Sequence, residues 1–409
     1  MNKKILYAVF CLLFFMTGCW DREELDEISV VTGMAVDPGE EKKYRMTVEV
    51  INSAEFGRQS AQGDAPVLTY TLEGDSLSEL SHKMNVGLTR KLVFSHTRVL
   101  YISEEVAKGG VFGFLDFLER SGQFRNDFSI VVTSGYPASE FTKITYPVEK
   151  SPSLKLSTQI GALTDEWGGN PDVQLYDFIT SIISKGINPV AGMISMRGDP
   201  EKGQTVENNK DLSPDALVYA DGMAVFKNDK MVGRLSLEET RGYLWTKDLR
   251  HTSLSISCNS ETPDSADEEE FFLDARIIRS KVNLGAKYQN GQPKINVKIN
   301  GEAKIQGTQC PNDLTKINVF AEHEKLIEKF VKDEITQLIT KVQKEYGVDI
   351  FGFGESLNRQ DHKKYKEVED NWDEEFAKAE LDVKVDIQLL RAGIKNKSFN
   401  ADIEELDQE

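Results

Sequence analysis

Two long strand patterns that meet at Asn290-Gly291 place the strongest constraint on the fold. The segments 271–288 and 294–306 have strand composition, and an Asn-Gly pair between strands is typical of a tight hairpin turn. A further strand with one buried face is predicted near the carboxyl end, where apolar residues alternate with polar ones at Leu381, Val383, Val385, Ile387 and Leu389. The second half of the chain is therefore expected to contain a sheet with long antiparallel strands.

A continuous apolar stripe over residues 326–346 predicts a long helix that ends at Gly347. The segment Phe351-Gly352-Phe353-Gly354 follows it and begins like a dinucleotide-binding fingerprint. It lacks the third glycine and does not follow a strand, so a structural interpretation is favoured. Its glycines would allow a tight turn between two helices, while its phenylalanines enter the core.

In the first half, strand and helix patterns alternate. Residues 28–36 and 44–51 predict a hairpin, residues 93–102 and 128–133 predict further strands, and helices are expected between them. His96 lies in an apolar strand pattern and is interpreted as a core histidine. The order predicts the α+β class, with several domains, three being expected, in which mixed or antiparallel sheets pack against helices.

Composition divides the chain further. Residues 1–18 are predicted to be a signal peptide, 19–200 an N-terminal α+β domain and 201–215 a polar, Gly- and Asn-containing linker. Residues 216–409 form a C-terminal α+β region. This region either is one unit or splits into 216–260 and 271–409, with an acidic loop between the two parts.

The amino terminus predicts a lipid anchor. Lys3 and Lys4 precede an apolar run from Ile5 to Met16, too short to span a bilayer, and Met16-Thr17-Gly18-Cys19 follows the lipobox pattern. Cys19 would carry a diacylglyceryl group after cleavage of the leader, and two acyl chains hold a protein far more firmly than one. The alternative is an ordinary secretory signal with an unrelated cysteine.

Charge limits the partners of the chain. The sequence has 49 basic and 67 acidic side chains; loss of the two leader lysines leaves 47 against 67, a net charge of −20. Such a field opposes binding to nucleic acid and to anionic head groups. The expectation is that the protein has no basic face and that its membrane attachment comes from the acyl chains alone.

Two of the four cysteines remain for pairing. Cys11 would leave with the leader and Cys19 would be alkylated, so Cys258 and Cys310 could form a disulfide outside the cytoplasm. Unpaired buried cysteines are also common, and the sequence favours that alternative.

No catalytic or metal-binding pattern is visible. The five histidines form no HExxH pair, and CxxC, GxSxG and P-loop motifs are absent from the sequence. The acidic residues at 264–270 lack the spacing of a calcium loop and are interpreted as solvated. We expect a protein that is not an enzyme, with no catalytic residue, metal or cofactor.

Short motifs occur in order along the chain: Gly18-Cys19-Trp20-Asp21, Arg90-Lys91-Leu92, Ser95-His96, Arg125, Gly222-Met223-Ala224-Val225-Phe226, Gly233, Glu239-Thr240-Arg241-Gly242, Phe351-Gly352-Phe353-Gly354 and Trp372. Together they resemble the Ger(x)C family, the lipoprotein or C subunit of bacterial spore germinant receptors. The resemblance extends over nearly the whole chain beyond the leader.

The resemblance implies a subunit on the outer face of the spore inner membrane, beside a membrane-embedded A subunit and a permease-like B subunit. It would support assembly or signalling of a nutrient-sensing complex that triggers germination. The motif positions would be structural or interface residues. The alternative is a solute-binding lipoprotein that captures a nutrient such as an amino acid or sugar; such proteins have two lobes with regular βαβ alternation.

Overall fold

The computed structural model describes residues 24–390 except 25, 57–63, 248, 250, 259–269, 311–313 and 315. Cys19, Trp20, Asp21, the leader and most of the acidic loop lie outside the described residues. The described part contains two mixed β-sheets packed with helices. The α+β class predicted from the sequence is confirmed.

The larger sheet has nine strands in the order β3-β2-β1-β5-β6-β7-β8-β9, with β4 beside β1. Its strands are β1 (Ile28–Pro38), β2 (Tyr44–Ile51), β3 (Val67–Gly74), β4 (Lys91–Val93), β5 (Val99–Ser103), β6 (Ser129–Thr133), β7 (Val190–Arg197), β8 (Leu217–Lys227) and β9 (Lys230–Leu235). The central strands β1, β5, β6 and β7 are parallel, whereas the outer pairs are antiparallel. The predicted hairpin of β1 and β2 is confirmed.

Helices cover both faces of this sheet. Those in the first half are α1 (Ser53–Phe56), α2 (Leu77–Lys83), α3 (Glu104–Gly109), α4 (Phe112–Arg120), α5 (Ala138–Phe141), α6 (Pro152–Glu166), α7 (Leu175–Ile183) and α8 (Pro200–Gly203). One apolar core includes buried residues of α2, α3, α4 and α7, and a second includes residues of α5 and α6. Each face of the central strands is therefore buried, as parallel strands require.

The segment 201–215, predicted to be an interdomain linker, joins two adjacent strands of the same sheet. β7 and β8 pair antiparallel from Val190 with Val225 to Arg197 with Leu217. Within the segment, Asn208 is buried and donates to the carbonyl of Thr145 at 3.1 Å. The nine-stranded sheet thus continues past residue 215, and the division of the chain into domains stays a prediction.

The smaller sheet has four strands in the order β10-β11-β12-β13. They are β10 (Thr252–Ser257), β11 (Phe272–Gln289), β12 (Gln292–Thr308) and β13 (Glu380–Leu389). Asn290 and Gly291 both have positive φ in the turn between β11 and β12, which confirms the predicted hairpin. The last strand is half-buried as predicted, and it lies parallel to β12.

The helices of the second half share one apolar core with the inner face of the smaller sheet. They are α9 (Leu237–Leu244), α10 (Ile317–Lys341), α11 (Phe353–Gln360), α12 (His362–Val368) and α13 (Trp372–Ala377). A π-helical turn extends α10 to Tyr346, and Gly347 ends it with φ of 61°. Their core also includes Val190, Met223 and Leu235 of the larger sheet, so the two sheets share buried apolar side chains.

Cys258 and Cys310 are joined by a disulfide, with their Cα atoms 6.0 Å apart. The sequence favoured unpaired cysteines, and that interpretation is wrong. The backbone explains the pairing, because Cys258 follows β10 and Cys310 follows β12, and both strands flank β11. Strand order across a sheet cannot be deduced from cysteine spacing.

Candidate functional site, a junction built on Asp349

The carboxylate of Asp349 organises the motif residues at the end of the chain. Asp349 is fully buried; one of its oxygens accepts from the backbone N–H groups of Phe351 and Gly352, each at 2.9 Å. The other accepts from the N–H of Gly354 at 2.9 Å and from the indole Nε1 of Trp372 at 2.8 Å. Burial raises the pKa of Asp349 to about 6, although these four donors favour the charged form.

Close backbone approach explains two glycines at this place. Gly352 has φ of 91°, which favours glycine. A Cβ on Gly354 would lie 2.5 Å from Nε1 of Trp372 and 2.7 Å from Cα of Gly186. The predicted tight turn is confirmed, and Phe351 and Phe353 are buried as expected. The contact between this turn and Gly186 was not predicted, because no sequence motif connects them.

Asn188 ties this turn to the larger sheet. Its backbone N–H donates to the carbonyl of Asp349 at 2.6 Å, and its side-chain amide donates to Asp373 at 2.8 Å. Its side-chain oxygen accepts from the backbone N–H of Asn228 at 3.1 Å. We call Gly186, Asn188, residues 349–354, Trp372 and Asp373 the Asp349 junction. It joins the loop before β7 to the helices that follow α10.

Charged and polar side chains surround the junction at the surface. Ser184 donates to Glu355 at 3.0 Å, and Lys185 lies 2.7 Å from Asp370 and 3.5 Å from Glu369. Burial raises the pKa of Asp373 above its ordinary value. A polar cleft of about 280 Å³ opens here, but the buried acceptors beneath it already have N–H donors. The arrangement is suited to holding two parts of the chain together.

Glu239 and Gly242 lie at a second contact, between α9 and α10. Glu239 and Ser236 form a capping box at the start of α9, with N–H donors at 2.8 and 3.3 Å. Lys341 of α10 lies 2.6 Å from the Glu239 carboxylate. Gly242 lies against Leu338, and a Cβ on Gly242 would lie 3.3 Å from Cδ2 of Leu338.

A buried ion pair lies beside this contact. The guanidinium of Arg241 binds the carboxylate of Glu334, and Trp245 donates to the same carboxylate at 3.1 Å. Arg241 also lies over the rings of Trp167 and Phe330, at 4.7 and 5.8 Å from their centroids. Burial raises the pKa of Glu334. The sequence motif included Arg241 but did not identify Glu334 as its partner.

Gly222 and Gly233 are packing positions on the outer strands of the larger sheet. Gly222 has φ of 100°, and a Cβ there would collide with the carbonyl of Leu235. Gly233 lies against the ring of Tyr346, whose hydroxyl donates to the carbonyl of Arg234 at 2.8 Å. These glycines let β8, β9 and the end of α10 approach one another.

Arg90, His96 and Arg125 lie in loops of the first half and take no part in the Asp349 junction. All three are exposed, and Arg125 pairs with Asp127 at 2.7 Å. The interpretation of His96 as a core histidine is wrong, because residues 94–98 form a turn between β4 and β5 instead of one continuous strand. Thr97 closes this turn by donating to the carbonyl of Phe94 at 3.0 Å.

The described residues offer neither a metal-binding cluster nor a helix able to span a membrane. They contain no group of three or more His, Cys, Asp or Glu side chains arranged to hold a metal ion. In the same residues, every helix falls short of the length and apolar character needed to cross a bilayer.

Comparison with known proteins agrees with the motif order. Residues 21–196 match the family model for the spore germination protein N-terminal domain, and residues 221–393 match the model spore germination B3/GerAC like, C-terminal. The chain belongs to the Ger(x)C family. Among Ger(x)C relatives, spore germination protein KC of Bacillus subtilis (strain 168) is 29% identical over 406 residues, covering 97% of this chain and 98% of that protein.

Other Ger(x)C proteins also align over nearly their full length. Spore germination protein B3 of the same organism is 22% identical, covering 95% of this chain and 98% of its own. The crystal structure of the GerBC protein superposes with a TM-score of 0.51 at 17% identity, covering 91% of this chain and 100% of that chain. That structure therefore shares the fold of this Ger(x)C protein.

Proposed function

We propose that this protein is the lipid-anchored C subunit of a spore germinant receptor. A diacylglyceryl group on Cys19 would hold it on the outer face of the spore inner membrane. There it would support assembly or signalling with the A and B membrane subunits, so that a nutrient triggers germination. The observation that carries the proposal is the match to spore germination proteins over nearly their full length, and the sequence Met16-Thr17-Gly18-Cys19, which follows the lipobox pattern, supports it.

The geometry of the motif residues supports a role in which no substrate is converted. Asp349, the buried carboxylate of the junction, has four N–H donors from the protein itself. Glu334 is likewise occupied by Arg241 and Trp245. A buried carboxylate bonded to the protein's own donors stabilises the fold, and its burial keeps it out of reach of a substrate.

Replacement of the anchor cysteine tests the proposal. Cys19→Ala is expected to release the protein from spore membranes and to weaken nutrient-triggered germination, because the acceptor of the acyl chains is lost. Cys11→Ala is the matched control, since it removes another cysteine of the leader region without touching the lipobox. Retention of Cys19→Ala in the membrane fraction at raised salt, where attraction between exposed charges is screened, would contradict the proposal; fractionation and immunoblotting measure it.

Direct nutrient capture is the alternative function. Calorimetric titration of the protein with amino acids and sugars separates the two, because a solute-binding lipoprotein should bind one of them tightly. We expect no heat of binding from the isolated subunit. Tight binding would favour the alternative.

A further inference from the structure

The outer face of the smaller sheet carries an unusual set of lysines. Along β12 every second side chain points away from the core, while Ile295, Val297 and Ile299 on the other face are buried. The two long strands present seven cations and two anions on the outer face: Arg276, Arg279, Lys281, Lys287, Lys294, Lys298 and Lys304, with Asp274 and Glu302. The whole chain, by contrast, has a net charge of −18.

Four of these lysines form no ion pair within the described part of the chain. Arg276, Arg279 and Lys294 form ion pairs with Glu166, Glu302 and Glu380. Within the described part of the chain, no ion pair or hydrogen bond involves the side chains of Lys281, Lys287, Lys298 or Lys304. All four are exposed. We call these four residues the lysine face. The expectation that the protein has no basic face is wrong for the two central strands of this sheet. Alternation along each strand places their cations on one face, whereas the net charge of the chain is a sum over its whole surface.

The register places like charges opposite each other. Lys287 pairs with Lys294 across β11 and β12, and Lys298 pairs with Lys384 across β12 and β13. Like charges directly opposite on neighbouring strands destabilise a sheet. An anionic surface laid against this face would relieve that repulsion. The edge strand β13 adds one cation, Lys384, and three anions, Glu380, Asp382 and Asp386, to the outer face, so the positive charge is concentrated on the two central strands.

We propose that the lysine face binds the anionic head groups of a phospholipid membrane. Lysine is depleted at protein–protein interfaces, which favour aromatic residues and arginine, so an exposed face of lysines and asparagines fits a charged lipid surface better than a protein partner. Each lysine near an anionic membrane contributes to attraction, and several act together. Head-group binding does not require the acyl anchor; only its role in orienting an anchored subunit rests on the proposed function.

Vesicle flotation tests the proposal in the full chain carrying Cys19→Ala. The measured quantity is the ratio of binding to vesicles with about 30% phosphatidylglycerol over binding to pure phosphatidylcholine. One variant combines K281Q, K287Q, K298Q and K304Q. Its control combines K325Q, K329Q, K332Q and K363Q, which removes the same charge from exposed helical positions without ion pairs among the described residues. Both variants carry the same leader, so its contribution to vesicle binding is the same in each.

In the lysine-face variant this binding ratio is expected to be lower than in the parent chain by about tenfold or more, whereas the control should stay close to the parent chain. Raised salt should remove the preference of the parent chain, because exposed charges are screened. Equal ratios in the two variants would overturn the proposal. Selective binding of poly-glutamate in place of anionic vesicles would also overturn it, in favour of an acidic protein partner.

Discussion

Replacement of Asp349 by alanine tests whether one carboxylate holds the junction together. The substitution removes the acceptor of four N–H groups, on Phe351, Gly352, Gly354 and Trp372. A buried donor left without a partner costs about 1.5 kcal/mol, so four donors cost about 6 kcal/mol. Part of this cost is offset, because the variant no longer buries a charged group.

The offset follows from the pKa of the carboxyl group. Burial raises the pKa of Asp349 from 3.8 to about 6, and this difference corresponds to about 3 kcal/mol at neutral pH. The net loss in the free energy of unfolding is therefore expected to be about 3 kcal/mol. Urea unfolding followed by tryptophan fluorescence and circular dichroism measures it.

Asp370→Ala is the matched control. Asp370 lines the polar cleft beside the junction, but its side chain is 85% exposed and its partner Lys185 is also exposed. Exposed ion pairs contribute little to stability, so the control should unfold close to the parent chain. An Asp349→Ala variant that unfolds together with the control would refute the assignment of Asp349 as the organising acceptor.

Three further predictions concern stability. Gly354→Ala should destabilise the protein by about 2 kcal/mol in thermal unfolding, since its Cβ would meet backbone of Gly186, whereas Gly161→Ala, with open space around its Cβ, should not. Joint replacement of Cys258 and Cys310 by alanine should cost about 3 kcal/mol in urea unfolding, because the disulfide spans 52 residues; an unchanged midpoint would contradict this. Between about pH 4 and pH 6 the folded chain holds a proton on Asp349 that the unfolded chain releases. The free energy of unfolding should therefore fall by about 3 kcal/mol over this range relative to Asp349→Asn. Parallel pH profiles of the two proteins would contradict this prediction.

Local signals in the sequence predicted the elements of the second half. Asn290-Gly291 specified the hairpin, the alternation after Leu381 specified the last strand, and Gly347 marked the end of the long helix. Each depends on a backbone or burial requirement that acts within a few residues. The turn at 351–354 was predicted for the same reason.

Requirements set by distant parts of the chain could not be predicted. Asn188 lies 185 residues before Asp373, and no sequence motif indicates that the two are in contact. The continuation of one sheet through β7 and β8 was hidden by the polar composition of the segment between them. His96 was misplaced because an apolar pattern does not reveal a turn closed by Thr97. Pairing across a fold depends on strand order, which single-sequence patterns do not contain.

The motifs of this protein and its binding surface are different kinds of feature. Gly354, Gly222 and Asp349 are restricted because a Cβ or a lost acceptor at each place would disturb the fold itself. Lys281, Lys287, Lys298 and Lys304 meet no such restriction, since each is exposed and contributes only charge. Substitution at these three positions should therefore lower stability, whereas replacement of the four lysines by glutamine should weaken attraction to anionic surfaces without lowering stability, since it relieves the repulsion between opposed lysines. Measuring unfolding and vesicle binding on both sets of variants separates the residues that maintain the body from those that would orient it at a membrane.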